Sequence, residues 1–508
     1  MFNHKKYGVG DPKKVAENMR IKKYKNLCAG AFLSLLVSVQ MVQASPWAAV
    51  GDMQLRNDVE ILARHGVISG PVNTWPISWK QITRNLSRTS EMALPAYVQH
   101  AAMRVKEKVP GKFRIAARLQ ATNNPAIVRG FGTTARNDLD MDATLEYNNS
   151  DSGTTLHLQG GYRKGNGEDY AHLDGSYLSQ DIGNWSVYAG AFDRWWGPGR
   201  ESTLILSNNA RPMPSAGLRR IEPKAFETKW LSWMGPWQWD VFVARTEAER
   251  VIPNSLFGGM RLSFEPVKNF QVGLSRTMQL CGEGRPCGFG TWTKAFIAVG
   301  EFENRAGDPG NQLASIDLAY TMGVTKNTSL RIYAEGTAED QNIVMPFQYA
   351  KLLGASYYGP YGDNMAQWRL TVEYTDTVSQ HAWLFAQKNF NVIYEHSTYR
   401  TGYRVKGRSL GHSLDNDSRL LSMVAQFQDS NNWEYTAKFH NAKINIDGRG
   451  GNTVSLQSQK LNIFEASVKG NIGIGDVQVD VKYADDGILA LGNEGSFVSV
   501  GFSWELRY

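Results

Sequence analysis

The sequence predicts an all-β transmembrane barrel of about 18 antiparallel strands, with its lumen occluded and a small helical bundle ahead of it. Three observations carry this. In the last twelve residues, 497–508, two walls alternate from Val498 on: Val498, Val500, Phe502, Trp504, Leu506 and Tyr508 fall on one side, and Ser499, Gly501, Ser503, Glu505 and Arg507 on the other. Eighteen strand candidates run from 112–121 to 496–508, and many of them repeat this two-walled pattern. The gaps between candidates alternate in length, short then long, a habit of outer-membrane barrels with turns in the periplasm and loops outside.

The chain has 508 residues and a formal net charge of +7. That charge sits in the first 44 residues, which carry eight Lys or Arg and two acids. Of the 55 basic and 48 acidic residues, 47 and 46 remain beyond them. The basic pI near 9.0 is therefore a property of the leader and gives no argument for nucleic acid. A basic run to Lys25, the apolar stretch 27–39 and Val42-Gln43-Ala44 read as a secretory signal cut after Ala44. A start at Met1 or at Met19 stays open. Residues 1–44 are thus expected as signal peptide, 45–111 as a periplasmic helical bundle and 112–508 as the barrel. Mean hydropathy is −0.38, which suits strands that meet lipid with alternate residues only.

In the bundle, Asp52 caps a helix bearing Leu55, Val59 and Leu62, and Gly66 ends it. Ser78 with Gln81 reads as a capping box. Pro95 opens a third helix that ends at Pro110-Gly111. Beyond residue 112 the most regular strands keep an apolar wall free of charge: Leu139, Met141, Ala143, Leu145 and Tyr147 oppose Asp140, Asp142, Thr144 and Glu146. The opposite walls hold both signs in near balance, which predicts a lumen laced by ion pairs. Tight turns are expected at 149–152, 181–184, 235–236, 266–269, 324–327, 358–364, 429–432 and 473–476. Long loops are expected at 122–138, 194–224, 280–312, 377–417 and 442–459, and a strand at 225–234.

Two loops hold the candidate binding residues. In 193–225, Trp195 and Trp196 offer flat faces for a sugar ring, and Arg194, Arg200, Arg211, Arg219 and Arg220 offer forks for carboxylates. The same residues also suit a plug folded back into the barrel. In 399–417, Tyr399, Arg400, Tyr403, Arg404, Lys406, Arg408 and His412 precede Asp415 and Asp417, a mixture that suits an acidic polysaccharide. His412 beside Asp415 invites a catalytic reading, but no nucleophile elbow or metal-ligand cluster accompanies it, and the chain is not expected to be an enzyme. No cofactor or metal is expected. Cys281 and Cys287, in an exported loop, are expected to form a disulfide.

The stretches 45–79, 193–214 and 402–419 together resemble the Wzi family of capsule assembly proteins of Gram-negative bacteria, and the likeness covers the mature chain. The resemblance implies an eighteen-stranded outer-membrane barrel with a periplasmic bundle, an occluded lumen and a lectin-like role. That role is to hold secreted capsular or related exopolysaccharide at the cell surface. Its expected partners are the polysaccharide, outer-membrane lipid and polysaccharide export machinery, with the chain as a monomer. No catalytic residues come with the family. A porin or sugar channel is the alternative.

Overall fold

The computed structural model describes residues 46–89, 92–165, 169–297, 310–339, 348–362, 365–381, 388–449, 451–487 and 495–508. The expected signal peptide, 1–44, and its expected cleavage point lie outside the described residues. Twenty strand segments pair into one closed sheet. Two of them share one neighbour and count as one interrupted strand, and the stub Lys388–Asn389 is an accessory, which leaves eighteen. They are β1 Phe113–Thr122, β2 Leu139–Asn149, β3 Thr154–Lys164, β4 in two pieces (Tyr170–His172 and Tyr177–Ile182), β5 Trp185–Gly190, β6 Ser215–Arg220, β7 Trp237–Arg245, β8 Leu256–Val267 and β9 Phe270–Leu280. There follow β10 Gly310–Gly323, β11 Ser329–Glu339, β12 Gln348–Tyr361, β13 Ala366–His381, β14 Arg419–Gln428, β15 Glu434–Ile444, β16 Gln459–Asn471, β17 Asp476–Ala484 and β18 Phe497–Arg507.

The terminal stretch closes the cylinder. β18 pairs with β1 from Gly501↔Thr122 to Arg507↔Ala116. Tyr508 and Ile115 then exchange backbone hydrogen bonds of 2.8 and 3.0 Å.

Burial on these strands is inverted relative to a soluble protein. Leu158, Val187, Ile316, Leu370, Val481 and Phe502 are exposed, while Asp140, Asp142, Glu146, Arg261, Asp317 and Glu335 are buried. The outward wall is the one hydrocarbon must meet, and the inward charges find each other. Arg261 reaches Asp317 at 2.6 and 3.1 Å, Arg118 reaches Asp142 at 2.8 Å, and Arg219 reaches Asp240 at 2.5 Å.

One strand expectation is corrected. Residues 225–234 are not a strand; they run as a turn that ends in one 3-10 turn, Ser232–Met234. The sixth strand is β6, inside the stretch expected as loop 194–224. It is only six residues long and carries two arginines, so it reads as polar loop. Its inward Arg219 is compensated by Asp240 on the neighbouring strand, a partner no local pattern reveals. The β6–β7 connection is therefore 221–236 rather than Gly235-Pro236 alone. Trp230 and Trp233 in it are exposed, as rim aromatics at a membrane interface are.

The bundle has α1 Met53–Arg64, α2 Trp79–Thr83 and α3 Ala96–Lys108. The Asp52 carboxylate accepts from the Leu55 amide at 2.9 Å, and Gly66 leaves the helix at φ +79°. The expected capping box does not form. The Ser78 side chain makes no cap bond, and the Gln81 amide instead donates to the Ser69 and Pro71 carbonyls, at 3.1 Å each. Leu55, Val59, Leu62, Val98, Ala102 and Val105 form the bundle's apolar core. A buried pair, Arg104 to Asp58 at 2.6 Å, ties α3 to α1.

Candidate functional site

The loop 191–214 between β5 and β6 turns inward. Trp195 and Trp196 pair as a short strand with Trp75 and Thr74 of the bundle segment. Both indoles are fully buried, at 0% exposure. Trp195 packs edge-on to Phe131, which in turn packs on Trp75. Trp196 packs edge-on to Phe242 of the barrel wall. Leu204, Ile205 and Leu206 are buried beside Tyr394, Tyr403 and Leu410 of the other long loop. The adjacent Trp195 and Trp196 thus join two apolar clusters, one shared with the bundle and Phe131 and the other with the second long loop.

Arg200 is the joint of the plug. Its guanidinium donates to both Glu60 oxygens at 3.0 and 2.9 Å and to Asn57, and its amide donates to Glu373 at 2.7 Å. Arg369 of β13 also reaches Glu60, at 2.9 Å. Burial works to raise the Glu60 carboxyl, but Arg200, Arg369, Arg331 and Arg56 around it hold it well below the usual carboxylate range. Bundle, loop and wall are therefore locked through one carboxylate.

The remaining candidates divide by exposure. Arg194 is buried over the rings of Phe192 and Phe242, at 4.4 and 4.0 Å. The Tyr399 hydroxyl donates to the Cys281 carbonyl at 3.0 Å, beside the Cys281–Cys287 disulfide. The Tyr403 hydroxyl reaches the Ile205 carbonyl and the Thr277 hydroxyl at 2.7 and 2.9 Å. Arg404 is buried between Asp415, at 2.7 Å, and Glu395. His412 is buried at 0% exposure; its Nδ1 accepts from the Leu414 amide at 3.1 Å. Burial, opposed by Asp415, pushes its imidazole down to about 4, so it is neutral. Arg194, Trp195, Trp196, Arg200, Tyr399, Tyr403, Arg404 and His412 therefore face protein rather than solvent, because the loops that carry them supply the plug's own core.

Arg211 and Arg408 remain half-buried. Arg211 forks onto Asp174 at 3.0 Å twice and lies over the half-exposed ring of Tyr170, at 4.4 Å. Arg163 reaches the same Asp174 at 2.7 Å. Arg136 donates to the Asn208 and Asn209 carbonyls and pairs with Asp193 at 3.3 Å. Arg408 sits on a hairpin, Arg404–Val405 against Arg408–Ser409, whose tip, Lys406-Gly407, is exposed. Burial, then Arg136 beside it, holds the Arg408 guanidinium below its ordinary range, with Tyr170 opposing. Among the described residues Arg408 has no carboxylate within ion-pair distance. Four guanidiniums thus meet three carboxylates, Asp140, Asp174 and Asp193, and Arg408 is the one left over. Arg136, Arg163 and Tyr170 are not among the residues singled out in the sequence; each stands alone in its own stretch, and only the fold gathers them.

The family model described as capsule assembly protein Wzi matches residues 108–488. The chain belongs to the Wzi capsule-assembly family. A Klebsiella pneumoniae protein described as an uncharacterized 55.8 kDa protein in the cps region is 29% identical over 451 residues, 87% of this chain and 86% of that protein. The structure of Wzi from Escherichia coli, described as an outer-membrane protein involved in group 1 capsule assembly and a carbohydrate-binding β-barrel, superposes with a TM-score of 0.77. It covers 92% of this chain and 100% of that one at 24% identity, a likeness of fold. OccK5 of Pseudomonas aeruginosa aligns at a TM-score of only 0.43 and 8% identity, over 78% of this chain and 98% of that one, too distant to carry an argument. This Wzi-family barrel is thus the eighteen-stranded cylinder the alternation predicts.

Proposed function

We propose that this Wzi-family protein is an outer-membrane surface lectin that retains secreted capsular or related polysaccharide at the cell, and that it catalyses no reaction. The long loops face outward, and the bundle and Tyr508 face the periplasm. The mature chain starts at residue 45 and acts as a monomer, beside the export machinery. The reading is supported by the family, by the E. coli relative described as carbohydrate-binding, and by the side chains left after the plug is accounted for. The observation that carries the binding face is Arg408: a half-buried guanidinium with no carboxylate in ion-pair range among the described residues, on a hairpin whose tip is exposed, beside Arg136 and Tyr170. A guanidinium fork suits the carboxylate of an acidic sugar, and a half-exposed phenol ring suits its C–H face.

Deleting the protein should release polymer into the medium while synthesis continues. Arg408→Ala and Tyr170→Ala should each weaken retention several-fold, with the barrel still resisting SDS at room temperature. Cell-bound polymer that stays unchanged in all three strains would sink the proposal.

One observation favours the channel alternative. A cavity of about 360 Å3 lies between the plug and the wall, lined by Asp52 and Lys108 of the bundle and by Arg136 and Asp174 near the long loops. Its walls are charged side chains from β1–β3 and β15–β18, including Arg118, Asp142, Lys438 and Glu465.

A further inference from the structure

One loop leaves the barrel on its outside. After β9 the chain passes through the disulfide-closed turn Cys281–Cys287 into a helix, α4, Phe289–Ile297. Which wall it covers follows from the alternation of β8. A Cβ on Gly259 would meet Phe242 and Trp196 of the plug, at 2.4 and 3.1 Å, so Gly259 faces the lumen. Its neighbour Gly258 therefore faces out. A Cβ there would meet Met278 and Trp292, at 3.5 and 3.9 Å. Met278 pairs across from Gly258 and is outward too, while the adjacent Thr277 receives the Tyr403 hydroxyl from inside. Trp292 of α4 thus lies on the outer wall.

The contacts agree. Met278, Leu280, Cys281 and Ala295 are buried together, with Leu256, Met260 and Trp292 packed against them. Arg276 shares the outward face of β9, one turn of the pleat below Met278. It donates to the Ala295 carbonyl near the end of α4 at 2.7 Å, and to Gln312 of β10. A bare guanidinium on a lipid-facing wall is unfavourable, more so with depth. The helix covers it and supplies an acceptor from its C-terminal turn, where carbonyls lack helical partners.

Around this patch the same wall continues as exposed Leu274, Val243, Ile316 and Leu318. The solvent of that wall is therefore the solvent of the helix. Phe289, at the start of α4, is 84% exposed, and Lys294 is the helix's one charge. A nine-residue helix has too few turns to persist without a surface to lie on. An aromatic residue on one side and a lysine at the boundary suit the headgroup zone of a bilayer.

We propose that α4 is an interfacial helix lying in the lipid leaflet at the long-loop rim, with Phe289 among the acyl chains and Lys294 at the headgroups. The occupant is leaflet lipid, and the disulfide turn fastens the helix to the wall. This placement is independent of polysaccharide binding and rests on the barrel spanning a bilayer.

The test is a polarity-sensitive label on Phe289→Cys, with the full chain in vesicles of phosphatidylethanolamine and phosphatidylglycerol. Emission should shift to the blue and lose most of its intensity to lipids spin-labelled on the acyl chain, while aqueous iodide has little effect. A label on Lys294→Cys should respond more to headgroup spin labels than to acyl ones, and serves if the first variant fails to fold. A label on Lys406→Cys, in the exposed hairpin, should be quenched by iodide alone. Iodide quenching at both α4 positions with no response to labelled lipid would overturn the proposal. So would a blue shift that grows with protein density and ignores labelled lipid, which would place a second copy there.

Discussion

At the scale of single residues, the acids of the plug differ because their neighbours differ. Glu60 is surrounded by guanidiniums and is held ionised. Asp417, in the loop 388–418, accepts from the Asn391 amide at 2.8 Å but has Asp447, Glu395 and Asp415 close by. Burial first, then those acids, push its carboxyl up to about 7 despite the Asn391 bond. A raised folded pKa favours the protonated form. Its contribution to stability is fully present below the ordinary value of 3.8 and is lost as pH rises through about 7. Asp417→Asn should therefore match the parent in acid and unfold at a higher temperature above neutrality, as read by circular dichroism in detergent. An equal gap between the two proteins at every pH would refute this.

At the scale of elements, legibility depends on whether the signal is local. The strands with clean alternation, such as β2, β13, β15 and β17, follow from sequence because lipid reads one wall and water or plug the other. β6 does not, since its justification is an ion pair with Asp240 on the next strand. The plug character of 191–214 is legible in its density of Trp, Gly and Pro, but the direction of the side chains is not. Trp195 needs Trp75 and Phe131, and Arg200 needs Glu60, 140 residues away. Helix α4 is invisible for the same reason: its partners are the outward faces of β8 and β9. The inward face of β8 is equally specific. Gly259 is small because the Phe242 ring, with Trp196 behind it, occupies the space a side chain would take. Gly259→Leu should cost about 1–3 kcal/mol by overpacking and lower the unfolding temperature on SDS gels. Gly132→Ala, where a Cβ would meet nothing within 4 Å, is the control and should change nothing. Equal behaviour of the two variants would mean that the Trp196 site is loosely packed.

At the scale of the whole molecule, an empty barrel of this strand number encloses an aqueous channel. Here the bundle segment and the loops carrying Phe131, Trp195 and Tyr403 fill it, leaving the cavity of about 360 Å3. In a planar bilayer the protein should be near silent. Arg200→Ala should add frequent current steps, because it breaks a buried pair whose loss costs about 3–5 kcal/mol and leaves Glu60 under-compensated. A large steady conductance from the unaltered protein would overturn the occluded reading and favour the channel.

The lock of Glu60, Arg200 and Arg369 joins the helical bundle, a loop and the cylinder wall. Exposed tips such as Lys406-Gly407 stand outside that lock, constrained by the positive φ of both residues. A lineage cannot exchange the 191–214 loop by recombination unless the matching acid and the matching wall arginine travel with it. Inheritance of the stopper is thereby tied to inheritance of the bottle.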